Sequence, residues 1–186
     1  RIHFMVKIVF ESHSTTIDNE SGKASGWLDI GLSHIGKQQA LDLGKRYQCI
    51  KLDMVFCSDL QRSYETAELA FDGRNVKIIR DARLRECNYG HLSGSPLDEI
   101  NRIKTQFIQK PFPSGESYED AIKRIESFLI DLLKVHPDGV VMIIGHRATQ
   151  YGLEHLINKI PLLKVIEEKW KWQPGWTYQL STNEVL

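Results

Sequence analysis

The chain has 186 residues, and its 24 Lys and Arg balance 24 Asp and Glu, so with the seven histidines neutral the formal net charge is zero. Gripping nucleic acid or an anionic membrane by bulk charge needs a surplus of cations, so neither is an expected partner. A hydrophobic fraction of 41% with 26% charged residues fits one globular domain, expected over residues 5–186.

Residues 1–4 are read as a leader or a foreign extension and given no function. Residues 5–10 form a short apolar run with one lysine, and the hydroxyl-rich stretch 11–16 follows at once, which predicts a strand emptying into a loop. A helix fits residues 33–47, and residues 53–56 suggest a second strand. Ser58 and Gln61 have the spacing of a capping box, so a helix is expected from about residue 59 to 71. The β-branched run 76–79 predicts a third strand.

From Tyr118 the apolar positions are Ala121, Ile122, Ile125, Phe128, Leu129, Leu132 and Leu133, the spacing of one helical face. His136-Pro137-Asp138-Gly139 breaks this helix, and the continuous apolar run 140–144 predicts a strand covered on both faces. Gly145-His146 follows, then a helical pattern to about residue 158, ended by Pro161. Residues 176–180 are expected to be a last strand. Strands alternate with helices throughout, so the predicted fold is α/β, a three-layer arrangement with a mostly parallel sheet flanked by helices.

Such sheets bind ligands at the carboxyl ends of their strands. His13, three residues after the first predicted strand, and His146, two after the 140–144 run, both fall there. Arg62 stands on the first turn of the predicted 59–71 helix, where free backbone N–H groups already favour an anion. Glu86 lies in a loop beyond the third strand. No apolar run approaches the about 18 to 20 residues needed to cross a bilayer, and no secretory signal is visible, so a cytoplasmic location is expected. Cys49, Cys57 and Cys87 are odd in number with no C-x-x-C pair, and all three are expected to be buried hydrophobes.

Taken in order, His13-Ser14-Thr15-Thr16 with Asn19, Gly26-Trp27-Leu28-Asp29, Leu32-Ser33, Gly36, Gln39-Ala40, Ser58-Asp59-Leu60-Gln61-Arg62, Leu84-Arg85-Glu86 with Gly90, Gly115-Glu116-Ser117 and Gly145-His146 resemble the histidine phosphatase superfamily, the phosphoglycerate mutase-like proteins. The resemblance implies phosphoryl transfer through a phosphohistidine, with no metal or other cofactor and a small phosphorylated metabolite as partner. It makes His13 the nucleophile, Glu86 the general acid and base, and His146 with Arg62 the phosphate pocket. Asn19 and Thr16 match positions able to donate to the same oxygens. Tyr89, Ser25 and Gly26 match positions that touch the rest of the substrate in the mutases.

The family signature is Arg-His-Gly, whereas this chain reads Ser12-His13-Ser14. An uncompensated loss of one such donor costs about 100- to 1000-fold in rate, which keeps a catalytically impaired phospholigand-binding protein open as an alternative. Arg147, where the family usually has glycine, is the expected replacement, against the plainer reading that it faces solvent or pairs with Glu11. Glu11 could instead orient an arginine. The cofactor-dependent mutases carry extra segments after the acid-base glutamate. The stretch from Gly90 to Gly115 is only about 26 residues here, so a phosphatase is expected over a mutase. The aromatic segment 170–178 is read as covering the sheet edge in preference to forming a substrate wall.

Overall fold

The computed structural model describes residues 5–136 and 138–182. Residues 1–4, which the sequence left without a function, and Pro137 of the expected helix break lie outside that range. Strands β1 (Met5–Ser12), β2 (Met54–Cys57), β3 (Ile78–Arg80), β4 (Gly139–Gly145) and β5 (Trp176–Ser181) form one sheet in the order β3-β2-β4-β1-β5. All neighbours are parallel except β5, which runs antiparallel to β1 at the edge. The helices are α1 (Ile17–Glu20), α2 (His34–Arg46), α3 (Gln61–Ala70), α4 (Leu97–Ile103), α5 (Tyr118–Val135), α6 (Arg147–Leu156) and α7 (Leu162–Glu167). The sheet is thus mixed but mostly parallel and covered by helices on both faces, as expected.

Strand alternation sorts the core into two layers. Val6, Ile8, Phe10, Val141 and Ile143 pack with Ile125, Phe128 and Leu129 of α5 and Leu153 of α6. Val9, Met142 and Ile144 face the opposite way, onto Leu43 of α2 and Ala67 and Ala70 of α3. Every apolar position marked along α5 is buried, and Ser117 with Asp120 closes its first turn as a capping box. Its long apolar face is the best-developed helical pattern in the chain, which is why its extent was visible in advance. A third cluster, including Tyr89, Ile100, Phe112, Tyr118, Tyr151 and Ile166, extends the core beyond the strand ends.

Several expectations are corrected. β1 continues to Ser12, so His13 follows the strand directly, because Glu11 and Ser12 still pair with Ile144 and Gly145 of β4. α3 begins at Gln61, with Leu60 as its cap residue and no side-chain cap. The Ser58 hydroxyl turns instead to His146, while the Gln61 N–H donates to Asp29 Oδ1 at 2.7 Å. Cys57 and Cys87 are buried, but Cys49 is exposed just after α2. The short helices α1, α4 and α7 carry too few turns for a recognisable apolar period. Among the described residues, no helix is long and apolar enough to cross a membrane.

Candidate active site

β4 returns between β2 and β1, and this topology juxtaposes two residues far apart in sequence. Gly145 pairs with Ser12, and the His13 N–H donates to the Gly145 carbonyl at 2.9 Å. The imidazoles of His13 and His146 therefore stand side by side, with ring centroids 5.1 Å apart. His13 Nδ1 lies 2.7 Å from the Ser14 carbonyl oxygen. A carbonyl can only accept, so Nδ1 carries the proton and Nε2 keeps its lone pair. Burial, together with the charges of Arg62 and Arg147, lowers the His13 pKa to about 3, and the Ser14 bond opposes this only in part.

His146 is buried, and its Nε2 is 2.7 Å from Ser58 Oγ. Its pKa is held well below the ordinary value by burial, then by Arg62 and His13. Nδ1 of this ring is buried and has no hydrogen-bond partner among the described residues. Arg62, also buried, donates from Nη1 to Leu28 O at 2.9 Å and from Nη2 to Gly26 O at 2.7 Å. Burial lowers its pKa, and the negative charge of Glu86 acts in the opposite sense. Gly26 holds its carbonyl there from a left-handed φ of 54°, which glycine adopts without a Cβ penalty.

Glu86 is fixed at the start of α6, where unpaired N–H groups favour a carboxylate. Its Oε1 accepts from Cys87 N at 2.8 Å and Ala148 N at 3.1 Å, and Oε2 accepts from Arg147 N at 3.2 Å. Its backbone carbonyl accepts from Trp27 Nε1 at 2.7 Å and Arg124 Nη2 at 2.9 Å.

His13, Arg62, Glu86, Arg147, Asn19, Ser25, Gly26 and Tyr89 all line a single cavity of about 620 Å³ at the carboxyl ends of β1 and β4. Thr16 does not. It is buried and caps α1, its hydroxyl accepting from Asn19 N while its own N–H donates to Asn19 Oδ1, so Thr15 forms that part of the wall in its place. This reciprocal pair leaves the Asn19 Nδ2 donors for the cavity. His146 lies against His13 but is not part of the lining. Arg147 neither turns to solvent nor meets Glu11: its Nη1 reaches Asn101 Oδ1 at 3.4 Å and its guanidinium lies over Trp170, 4.8 Å from the ring centroid. Among the described residues, no three His, Cys, Asp or Glu side chains group as metal ligands.

Two features exceed the sequence reading. Glu11 does orient an arginine, and it is Arg46, which also lines the cavity. Arg46, in the last turn of α2, was not singled out in the sequence; the strand-end carboxylate was the signal that could have found it. The aromatic segment divides its labour. Trp176 packs on Phe10 at 5.5 Å as sheet cover, whereas Trp170 and Trp172 line the cavity, contrary to the expectation that the whole segment would cover the edge.

The profile of the histidine phosphatase superfamily (branch 1) matches residues 8–171, and the chain belongs to that family. It is 29% identical to phosphoserine phosphatase 1 of Hydrogenobacter thermophilus over 150 residues, 76% of this chain and 71% of that protein. It is 27% identical to a probable phosphoglycerate mutase GpmB of Erwinia tasmaniensis over 150 residues, covering 76% and 70%. Among solved structures, a mycobacterial glucosyl-3-phosphoglycerate phosphatase in complex with VO3 superposes with a TM-score of 0.74 at 25% identity, covering 86% of this chain and 85% of that one. These likenesses support an enzyme of phosphatase or phosphoryl-transfer type.

Proposed function

We propose that the protein is a metal-independent phosphomonoester hydrolase working through a phosphohistidine on His13, with a small phosphorylated metabolite as substrate. The observation that carries this reading is the His13 ring itself: neutral, with its proton tied to Ser14 O through Nδ1, and lodged beside Arg62 and His146 in the cavity. In the first step Nε2 donates its lone pair to phosphorus while the bond to the ester oxygen breaks, and Glu86 gives that oxygen a proton. In the second, Glu86 takes a proton from water, the water oxygen bonds to phosphorus, and the N–P bond breaks to restore neutral His13. Among the described residues Glu86 Oε2 accepts one hydrogen bond and Oε1 two, so Oε2 has the freer lone pairs for carrying that proton.

Phosphoryl transfer spreads charge over three equatorial oxygens, so surrounding donors do most of the work. Arg62 and Asn19 Nδ2 would meet those oxygens, with His146 packed behind His13. Arg147 supplies the guanidinium that Ser12 lacks. Arg147→Ala is expected to lower turnover of an aryl phosphate by about 100-fold; unchanged kinetics would remove the compensation. The central test is hydrolysis of 4-nitrophenyl phosphate in chelator by the wild type and by His13→Ala. Activity only in the wild type, with an acid-labile and alkali-stable phosphoenzyme, is expected. Activity that survives His13→Ala refutes the mechanism, and no hydrolysis of any ester in a broad panel leaves a phospholigand-binding protein. The mutase-type relative motivates a second reading, which product analysis separates: a mutase returns a phosphorylated isomer, a hydrolase returns inorganic phosphate.

A further inference from the structure

The cavity contains a second built cationic group that the hydrolytic steps do not use. Glu11 is only 1% exposed, and an isolated buried carboxylate is costly unless it is paired and hydrogen-bonded. Two side-chain partners come from the end of α2: Tyr47 donates its hydroxyl at 2.7 Å and Arg46 donates from Nη2 at 3.0 Å, to the same oxygen, Oε1. The consequence is a guanidinium held at a fixed place on the cavity wall. Its Nε and Nη1 have no hydrogen-bond partner among the described residues. Arg46 shares the cavity lining with His13, Arg62 and Arg147.

The surroundings of Arg46 are those of a ligand wall. The Trp172 ring centroid lies 5.9 Å from Arg46 Cζ, and Trp172 is 57% exposed, a large apolar face left open at the cavity. Lys23 and Gln39 add polar groups to the lining. Asp42 is also present, but it is paired with Lys45 at 3.3 Å.

We propose that Arg46, positioned by Glu11 and Tyr47 and flanked by Trp172, forms a second subsite for an anionic group on the substrate's leaving group. The substrate class is then a phosphomonoester that carries a second acidic function, carboxylate or phosphate, on an arm whose carbon skeleton lies against Trp172. This rests on the hydrolase reading above. Glu11 is a positioning residue, since it would act only through Arg46.

The test is the ratio of kcat/KM for ω-carboxyalkyl phosphates of increasing chain length to that for the plain alkyl phosphates of equal length. Comparison within each enzyme cancels differences in ester reactivity. The wild type is expected to prefer one spacer length of the carboxylated series, and Arg46→Gln to lose about 10- to 100-fold of that ratio, the worth of a hydrogen bond between charged groups. Glu11→Gln should lower the same ratio, and Trp172→Leu, at an exposed position that does not endanger folding, should lower kcat/KM for the carboxylated and the plain alkyl series alike, since the skeleton lies against this ring in both. No preference at any spacer length, or a ratio unchanged in Arg46→Gln, overturns the subsite. If no ester is hydrolysed, the hydrolase reading fails separately, and competition between carboxylated and plain alkyl phosphonates for binding to wild type and Arg46→Gln still decides the subsite.

Discussion

At His13 a single hydrogen bond decides which ring nitrogen keeps its lone pair. The Ser14 carbonyl fixes the proton on Nδ1, and burial beside Arg62 keeps the ring neutral. An NMR titration is expected to find this imidazole uncharged down to about pH 4, given a pKa of about 3; a midpoint near 6.5 would contradict the site geometry. His146 depends on its neighbour in a similar way. Ser58→Ala would leave the buried Nε2 of His146 without its 2.7 Å partner. The expected cost is about 1–3 kcal/mol of stability by urea denaturation, the penalty of an unsatisfied buried polar group, together with slower turnover from a less firmly held ring. His13, His146, Arg62 and Glu86 were singled out from residue type and order, and the fold brings them together. Thr16 was not placed correctly, because its hydroxyl is taken up by capping α1, a local competition that a resemblance of motifs does not reveal.

At the scale of elements, α2 and α6 build the site from their ends. The first turn of α2 packs against the loop bearing His13: Ser33 Oγ caps it by accepting from Gly36 N at 3.1 Å, and a Cβ at Gly36 would collide with the Thr15 carbonyl oxygen. Gly36→Ala therefore forces either helix or loop to move. We expect a loss of about 3 kcal/mol in chemical denaturation and a marked fall in kcat, since displacing the loop displaces His13. A variant of wild-type stability and activity would show that the contact is not tight. At its last turn the same helix delivers Arg46 and Tyr47 to Glu11. The α6 N-terminus holds Glu86 by two backbone N–H groups, so this carboxylate is placed by an element distant from it in sequence. The periods of α2 and α5 were readable because their buried faces span several turns. α3 was expected two residues early because Ser58 and Gln61 satisfied a capping pattern while their partners lay elsewhere, in His146 and Asp29.

For the whole molecule, neutrality of net charge coexists with a cavity whose wall holds Arg46, Arg62, Arg147 and Lys23. Enclosing two uncharged histidines gives a pH dependence whose sign follows directly. Once unfolded, both rings take up protons as the pH falls through about 6.5, whereas the folded protein protonates His13 only near 3 and His146 well below its ordinary value. The unfolded state thus binds more protons, and stability is lost as pH decreases through this window. The slope is at most about 1.4 kcal/mol per pH unit for each ring. Burial raises the pKa of Glu11 above 4.5, which acts in the opposite sense, so the histidine contribution is best read above that region. Urea midpoints are expected to fall between pH 7 and pH 5, and His13→Gln should flatten the slope; an equal slope in both proteins would exclude His13 as a cause.

The amino-acid sequence by itself determined the family and the mostly parallel α/β architecture, and it singled out the residues that the fold then gathers at the candidate site. Those features rest on local periodicity and on short motifs whose chemistry is carried by residue type. Only the tertiary structure decided which nitrogen of His13 is free, that Arg147 lines the cavity and lies over Trp170, and that Arg46 is held at the cavity by Glu11. The two arginine placements depend on elements meeting at their ends, where contacts join residues that no spacing along the chain relates, and the His13–Ser14 bond depends on the backbone turn that follows β1.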